Sequence, residues 1–163
     1  MLSSCKILQK YPRALVFGPV ALGGLGFPNI EYMQMATKVN HIVKNVRGNT
    51  SLGRTFRIMM EHAQIQAGIQ DQIFATTKRV QYIESTWITS LQEKMQEIQA
   101  EVTIENYWTP APKRINDVMI MEQIQEMNLP DKDIRRINYC RMYLRVTCLS
   151  DICNSDGKTI MTR

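Results

Sequence analysis

Glycine and proline, the strongest interrupters of helices, are scarce in this chain of 163 residues, with eight and six copies. Their scarcity, beside eleven methionines and frequent glutamine, favours helix over sheet. No apolar run approaches the roughly 18 residues of a transmembrane helix, which excludes a membrane-spanning reading. Histidine occurs only as His41 and His62, and the four cysteines (Cys5, Cys140, Cys148 and Cys153) form no Cys-x-x-Cys pair. The ligand spacing of a zinc site is therefore missing. Neither Ser/His/Asp nor Cys/His occurs at a supporting spacing, and no aspartate pair matches what two-metal polymerases and nucleases require. A protein without a catalytic site, metal or cofactor of its own is expected.

What is present is ordinary globular material, 44% hydrophobic and 21% charged, of a length that suits one domain with a real core. The net charge of +5 is unevenly spread: ten Lys/Arg against three acids over 1–79, three against eight over 80–130, and seven against four over 131–163. Two readings stand side by side. Either a nucleic-acid face is backed by an acidic outer face, or the blocks pair with each other within the fold. Cys140 and Cys148 fall on an apolar helical face, so buried reduced thiols in an intracellular protein are expected, with nucleus or cytoplasm undetermined. Lys6, Lys10 and Arg13 precede the first acid, Glu31, as in a mitochondrial presequence, but the glycines and prolines that follow argue against one.

Taken in order, the pattern predicts a mainly α protein, an irregular helical bundle of about five helices with a glycine-rich N-terminal arm. The arm covers 1–29, the helical domain 30–153 and a tail 154–163. In the arm, Ala14–Val16 is expected as a short strand, and Gly23-Gly24-Leu25-Gly26 as a tight turn rather than a phosphate loop, since the Walker lysine is absent. A first helix runs from Asn29 or Ile30 to about Val46, with Met35, Val39, Ile42 and Val46 inward and Lys38, His41 and Lys44 outward. Arg47 sits beside its C-terminal dipole. A second helix spans Ser51 to about Ala67 and stops at Gly68. Gln70–Ile83 is expected as a short helix or an extended segment. A third helix, capped by Ser85 or Thr86, aligns Trp87, Leu91, Met95, Ile98 and Val102, with Gln92, Glu93, Gln96, Glu97 and Glu101 on its outer face. After the proline-bearing connector Asn106–Lys113, Asn116 reads as the N-cap of a short helix carrying Ile120, Met121, Ile124 and Met127.

The segment Asp131–Ile152 organises the rest. On a helix, Ile134, Ile137, Cys140, Leu144 and Cys148 share one face, while Met142, Val146 and Leu149 lie opposite, so burial on two sides is expected. Between them runs a stripe of Asn138, Arg141 and Arg145. These residues either snorkel or pair with acids at the core's edge, or form a rigid row of donors toward a phosphate backbone. A turn at Asn154-Ser155-Asp156-Gly157 and one short strand close the chain.

The stretch PVALGGLGFPNIEYMQMATKV resembles the region that follows the polymerase core in non-LTR (LINE-type) retrotransposon reverse transcriptases. Gly23, Gly24, Leu25, Phe27, Pro28 and Asn29 carry the match. Arg47, Gly53, Gln64, Ala67-Gly68, Trp87 and Leu91 fit related retroelement reading frames, as do Arg114, Asp117, Asn138, Cys140-Arg141, Tyr143-Leu144 and Leu149-Ser150-Asp151-Ile152. The resemblance covers about 150 residues and implies a thumb or post-thumb helical region contacting template and primer. The Tyr/Phe-x-Asp-Asp motif, fingers and palm are absent, so a non-catalytic fragment of the polyprotein is expected. Its partners would be nucleic acid (RNA or an RNA/DNA duplex) and the missing polymerase core, with no membrane. Lys38, Lys44, Arg47, Asn138, Arg141 and Arg145 are the candidate contacts. The competing reading is a helical protein-interaction module whose acidic middle helices meet a partner without nucleic-acid binding.

Overall fold

Pro12 sets the first element. With φ at −57° its carbonyl accepts from the amides of Leu15 and Val16, opening helix α1 (Arg13–Phe17) where a strand was expected. The structure, a computed structural model, describes residues 12–154 and 159–161. Cys5, Lys6, Lys10 and most of the expected turn at 154–157 lie outside the described residues. After a 3-10 turn (Val20–Leu22) the glycine cluster folds the arm back on itself. Leu25 N–H donates to the Leu15 carbonyl (2.8 Å), Gly26 to Gly18 (2.9 Å) and Phe27 to Val16 (3.1 Å). Only glycine tolerates that return, because a Cβ on Gly24 would meet the Gly18 carbonyl oxygen at 2.2 Å.

Five further helices follow: α2 (Ile30–Arg47), α3 (Ser51–Ala67), α4 (Trp87–Glu97), α5 (Ile120–Glu126) and α6 (Asp131–Leu144). The described residues are 53% helical with no strand, an irregular helical bundle. None of their helices is long and apolar enough to cross a membrane. The chain forms two compact units that divide within α2, one through Asn40 and one from His41 onward.

In the second unit, Thr50 caps α3 by accepting from Gly53 N–H at 2.9 Å. Thr86 caps α4 through a reciprocal capping box with Thr89. Helices α3 and α4 pack together, as do α5 and α6. Met60, Ala67, Ile69, Ile73, Ile88, Met119, Met121 and Cys148 are almost fully enclosed. Phe56 meets Trp87 edge-on at 5.5 Å and 66°, and the exposed His41 meets Phe56 at 5.5 Å and 72°.

Several expected elements end early. Gln99 takes a left-handed φ of 55°, so α4 stops before Val102, whose amide bonds to the Phe74 carbonyl instead. Gln92 is not on an outer face: it is 1% exposed, on the inward side of α4, while Glu93 and Glu97 are exposed. Asn116 does not cap α5. Met119 stands at that position without a side-chain cap, because it lies in an antiparallel bridge with Cys148 that holds the segment extended. Met127 is exposed beyond the helix end. Gln70–Ile83 forms no helix; it is a chain of turns.

The organising helix is the largest correction. Arg145 adopts a left-handed φ of 56° and ends α6 at Leu144, leaving Cys148 in the bridge and Leu149–Asp151 in a 3-10 turn. Leu144 is 61% exposed and Cys140 is also at the surface, so α6 is not buried on two sides. Its inward row is Ile134, Asn138 and Arg141. Where a short strand was expected in the tail, the described residues show an isolated bridge of Ile160 with Cys153.

Candidate nucleic-acid interface

The last four carbonyls of a helix have no partner within it and need one from elsewhere. At the end of α3 each finds one. Gly68 N–H donates to the Gln64 carbonyl at 3.0 Å. Arg141 Nη2 donates to Ile65 (2.8 Å) and to Gln66 (2.9 Å), and Asn138 Nδ2 donates to the same Gln66 oxygen at 3.0 Å. The Tyr82 hydroxyl donates to Ala67 at 2.7 Å and accepts from Gln125 Nε2 at 2.9 Å. Arg141 Nε also donates to Asn138 Oδ1 at 3.0 Å, which fixes both side chains as one unit.

Arg141 has no carboxylate partner among the described residues. The negative end of the α3 dipole takes that role. Burial lowers the Arg141 pKa below its ordinary value, opposed by attraction to Tyr82, and burial pushes the Tyr82 phenol up. The expected stripe of Asn138, Arg141 and Arg145 therefore divides. Asn138 and Arg141 face inward and their donors are engaged on main-chain carbonyls, whereas Arg145 is exposed at the helix end. The inward pair is not offered to a phosphate.

Glutamine performs the same service for the loops. Gln64 donates to the carbonyls of Ile69 (2.9 Å) and Asp71 (2.8 Å) and accepts from Ile73 N–H (2.9 Å). Gln72 pairs both ways with the main chain of Ile104, and Gln96 donates to Thr76 and Lys78. These residues replace the missing secondary structure between α3 and α4.

A second polar cluster closes the C-terminal end. Asp117 accepts from the Ser150 hydroxyl and from the amides of Ser150, Val118 and Lys113. Asp151 accepts from Thr147 and Cys148 N–H and pairs with Lys113. Burial acts upward on both carboxyls. The hydrogen bonds, from Ser150 foremost at Asp117 and from Cys148 N–H and Lys113 at Asp151, outweigh it and hold both below the ordinary carboxylate value. Burial and the nearby Asp117 push the Cys148 thiol up. Together these bonds clasp the segment around Ser150 onto the residues that precede α5.

Among the residues expected to touch nucleic acid, Lys38, Lys44, Arg47 and Arg145 are exposed, and none pairs with a carboxylate among the described residues. Lys44 and Arg47 occupy the last turn of α2. Four residues outside the expected set stand out on the solvent side of α6: Lys132, Arg136, Tyr139 and Tyr143. All are exposed, the two tyrosines by 76% and 88%. Reading Asp131–Ile152 as apolar on both sides concealed them, although Tyr139 and Tyr143 at a spacing of four is a visible signal.

No known protein family matches the chain, and no curated protein or solved structure is significantly similar to it.

Proposed function

We propose that this chain is a non-catalytic helical region of a non-LTR retrotransposon polyprotein that contacts nucleic acid through exposed, unpaired cations. The observation that carries the reading is that Lys38, Lys44 and Arg47 of α2 stand in solvent without a carboxylate partner among the described residues. Charges without internal partners are available to phosphates, whose counterions they displace. The resemblance lends a second support. Gln64, Gly68, Asn138 and Arg141 form the lock at the end of α3, and Asp117, Ser150 and Asp151 form the C-terminal clasp. The positions on which the resemblance rests include these scaffold residues, which supports reading the chain as a helical region of that kind.

A partner polypeptide is favoured by a separate observation. Val20, Leu22, Ile30 and Met33 are exposed by 72%, 82%, 53% and 56%, an apolar density suited to being covered. In the parent polyprotein, the polymerase core is the candidate cover. The alternative is an interaction module without nucleic-acid affinity, whose acidic middle helices meet a partner.

The test is binding to mixed-sequence RNA and RNA/DNA duplex across a salt series. The parent is expected to bind at low salt with affinity falling linearly in log salt. Lys38→Gln/Lys44→Gln/Arg47→Gln together should flatten the slope by about two to three units. Absence of binding at low salt would reject the nucleic-acid reading and leave the interaction module.

A further inference from the structure

Helix α6 presents two opposite characters. Its inward row is consumed in capping α3, while Lys132, Arg136, Tyr139 and Tyr143 follow one another at spacings of four, three and four on the outer side. At 3.6 residues per turn that spacing gathers them within an arc of about 60°. All four are exposed, and none pairs with a carboxylate among the described residues. Two cations at i and i+4 repel each other on a helix, a local cost that a bound anion removes. Two tyrosines one turn apart, 76% and 88% exposed, offer ring faces to solvent that nothing in the fold uses.

The surroundings give the stripe a direction. Tyr139 also lines a groove of about 690 Å³ between α6 and residues 80–85, whose wall includes Glu84, Glu93 and Arg135. Arg135 Nη2 bridges this groove to the Gln81 carbonyl at 3.0 Å. Lys132 and Arg136 do not line it. Lys132 and Arg136 therefore attract phosphate outside the groove, beside the exposed Asp131 and Asp133 of the first turn.

We propose that the solvent face of α6 is a platform for single-stranded nucleic acid, on which Tyr139 and Tyr143 stack successive bases while Lys132 and Arg136 hold the phosphates. Aromatic rings beside cations are the combination by which single strands are bound without sequence preference. A duplex keeps its bases stacked on each other and offers only the phosphate half of this interaction. The platform rests on the nucleic-acid reading above and sharpens it, because it names the strand form that this surface prefers.

The experiment compares fluorescence-anisotropy titrations of the full chain with a short mixed-sequence single strand and with the matching duplex. Tyr139→Ala/Tyr143→Ala should weaken single-strand binding by at least about fivefold per tyrosine and leave duplex binding and the salt slope unchanged. Tyr139→Phe/Tyr143→Phe should bind as the parent does, because stacking needs the ring and not the hydroxyl. Lys132→Gln/Arg136→Gln should flatten the single-strand salt slope by about one to one and a half units. Single-strand binding undiminished in a Tyr→Ala double variant with parental circular dichroism overturns the platform. If the parent then still binds and responds to the α2 substitutions, the general reading survives without it. If the parent binds neither form at low salt, both fall together.

Discussion

A side chain on Gly68 would begin 2.7 Å from the guanidinium carbon of Arg141. With φ at +61°, Gly68 turns the chain off α3 in a left-handed step, and its bare Cα leaves room for the arginine to reach the carbonyls behind it. Backbone conformation and side-chain capping at this helix end are thus one feature.

Gly68→Ala should therefore destabilise by more than the roughly 1–2 kcal/mol of left-handed strain, since it also displaces Arg141. Arg141→Gln strips the Ile65 and Gln66 carbonyls of a donor and should cost about 2–4 kcal/mol. Because both act on one contact, the double variant should lose clearly less than the sum in urea titrations. Full additivity would mean that the two residues do not share the lock.

Gln92 makes the opposite prediction. It is 1% exposed and neither atom of its amide has a hydrogen-bond partner among the described residues. Gln92→Met keeps the volume and removes a desolvated amide, and should raise the stability by about 1–2 kcal/mol. A lower melting temperature in calorimetry would count against an unpaired amide.

For α6, the structure separates two apolar residues that the periodicity treats alike. Ile134 is 8% exposed in the cluster with Tyr82 and Met121, and Leu144 is 61% exposed. Ile134→Ala should cost about 2–4 kcal/mol, Leu144→Ala less than about 0.5 kcal/mol. Equal losses would restore a helix buried on both sides.

The clasp sets the acid limit. Asp117 and Asp151 lie below the ordinary carboxylate value in the folded chain, so the unfolded chain binds more protons as the pH falls. The stability they contribute is present above about pH 5 and drains away as the pH drops through their folded values. On the alkaline side, burial raises Cys148 and Tyr82. Their contribution is complete below the ordinary thiol value, near pH 8.5, and declines above it, first through Cys148 and then through Tyr82. Denaturation midpoints across this range should form a plateau with two shoulders. Asp117→Asn should soften the acid shoulder, and an unchanged one would remove Asp117 from it.

The helices were legible because their apolar spacing and caps are local. Thr50, Gly68 and Thr86 stand where α3 begins, α3 ends and α4 begins. What escaped depends on partners distant in sequence. Arg141 reads as a cation at the core's edge or a donor toward a phosphate until the end of α3 is placed beside it, 75 residues away. Gln64 and Gln72 read as helix formers, yet they pair with loop backbone that has no periodicity of its own. Tyr139 and Tyr143 went unremarked on a helix expected to be buried on two sides, when Arg145 ends the helix early. In the candidate site, the exposure of Lys38, Lys44 and Arg47 followed from their position on α2, whereas that of Arg145, at the end of a helix expected to continue, and the inward turn of Asn138 and Arg141 did not.

The lock on α3 also has a history in time. The Gln66 carbonyl leaves the ribosome 75 residues before Arg141, an interval of roughly 4–15 s at ordinary synthesis rates. Throughout it, the last turn of α3 carries carbonyls whose donors have not yet been made. Gly68 and Tyr82 can close the Gln64 and Ala67 carbonyls early, but a message cut short before the codon for Asn138 yields a chain that has every residue of α3 and lacks the donors to Ile65 and Gln66.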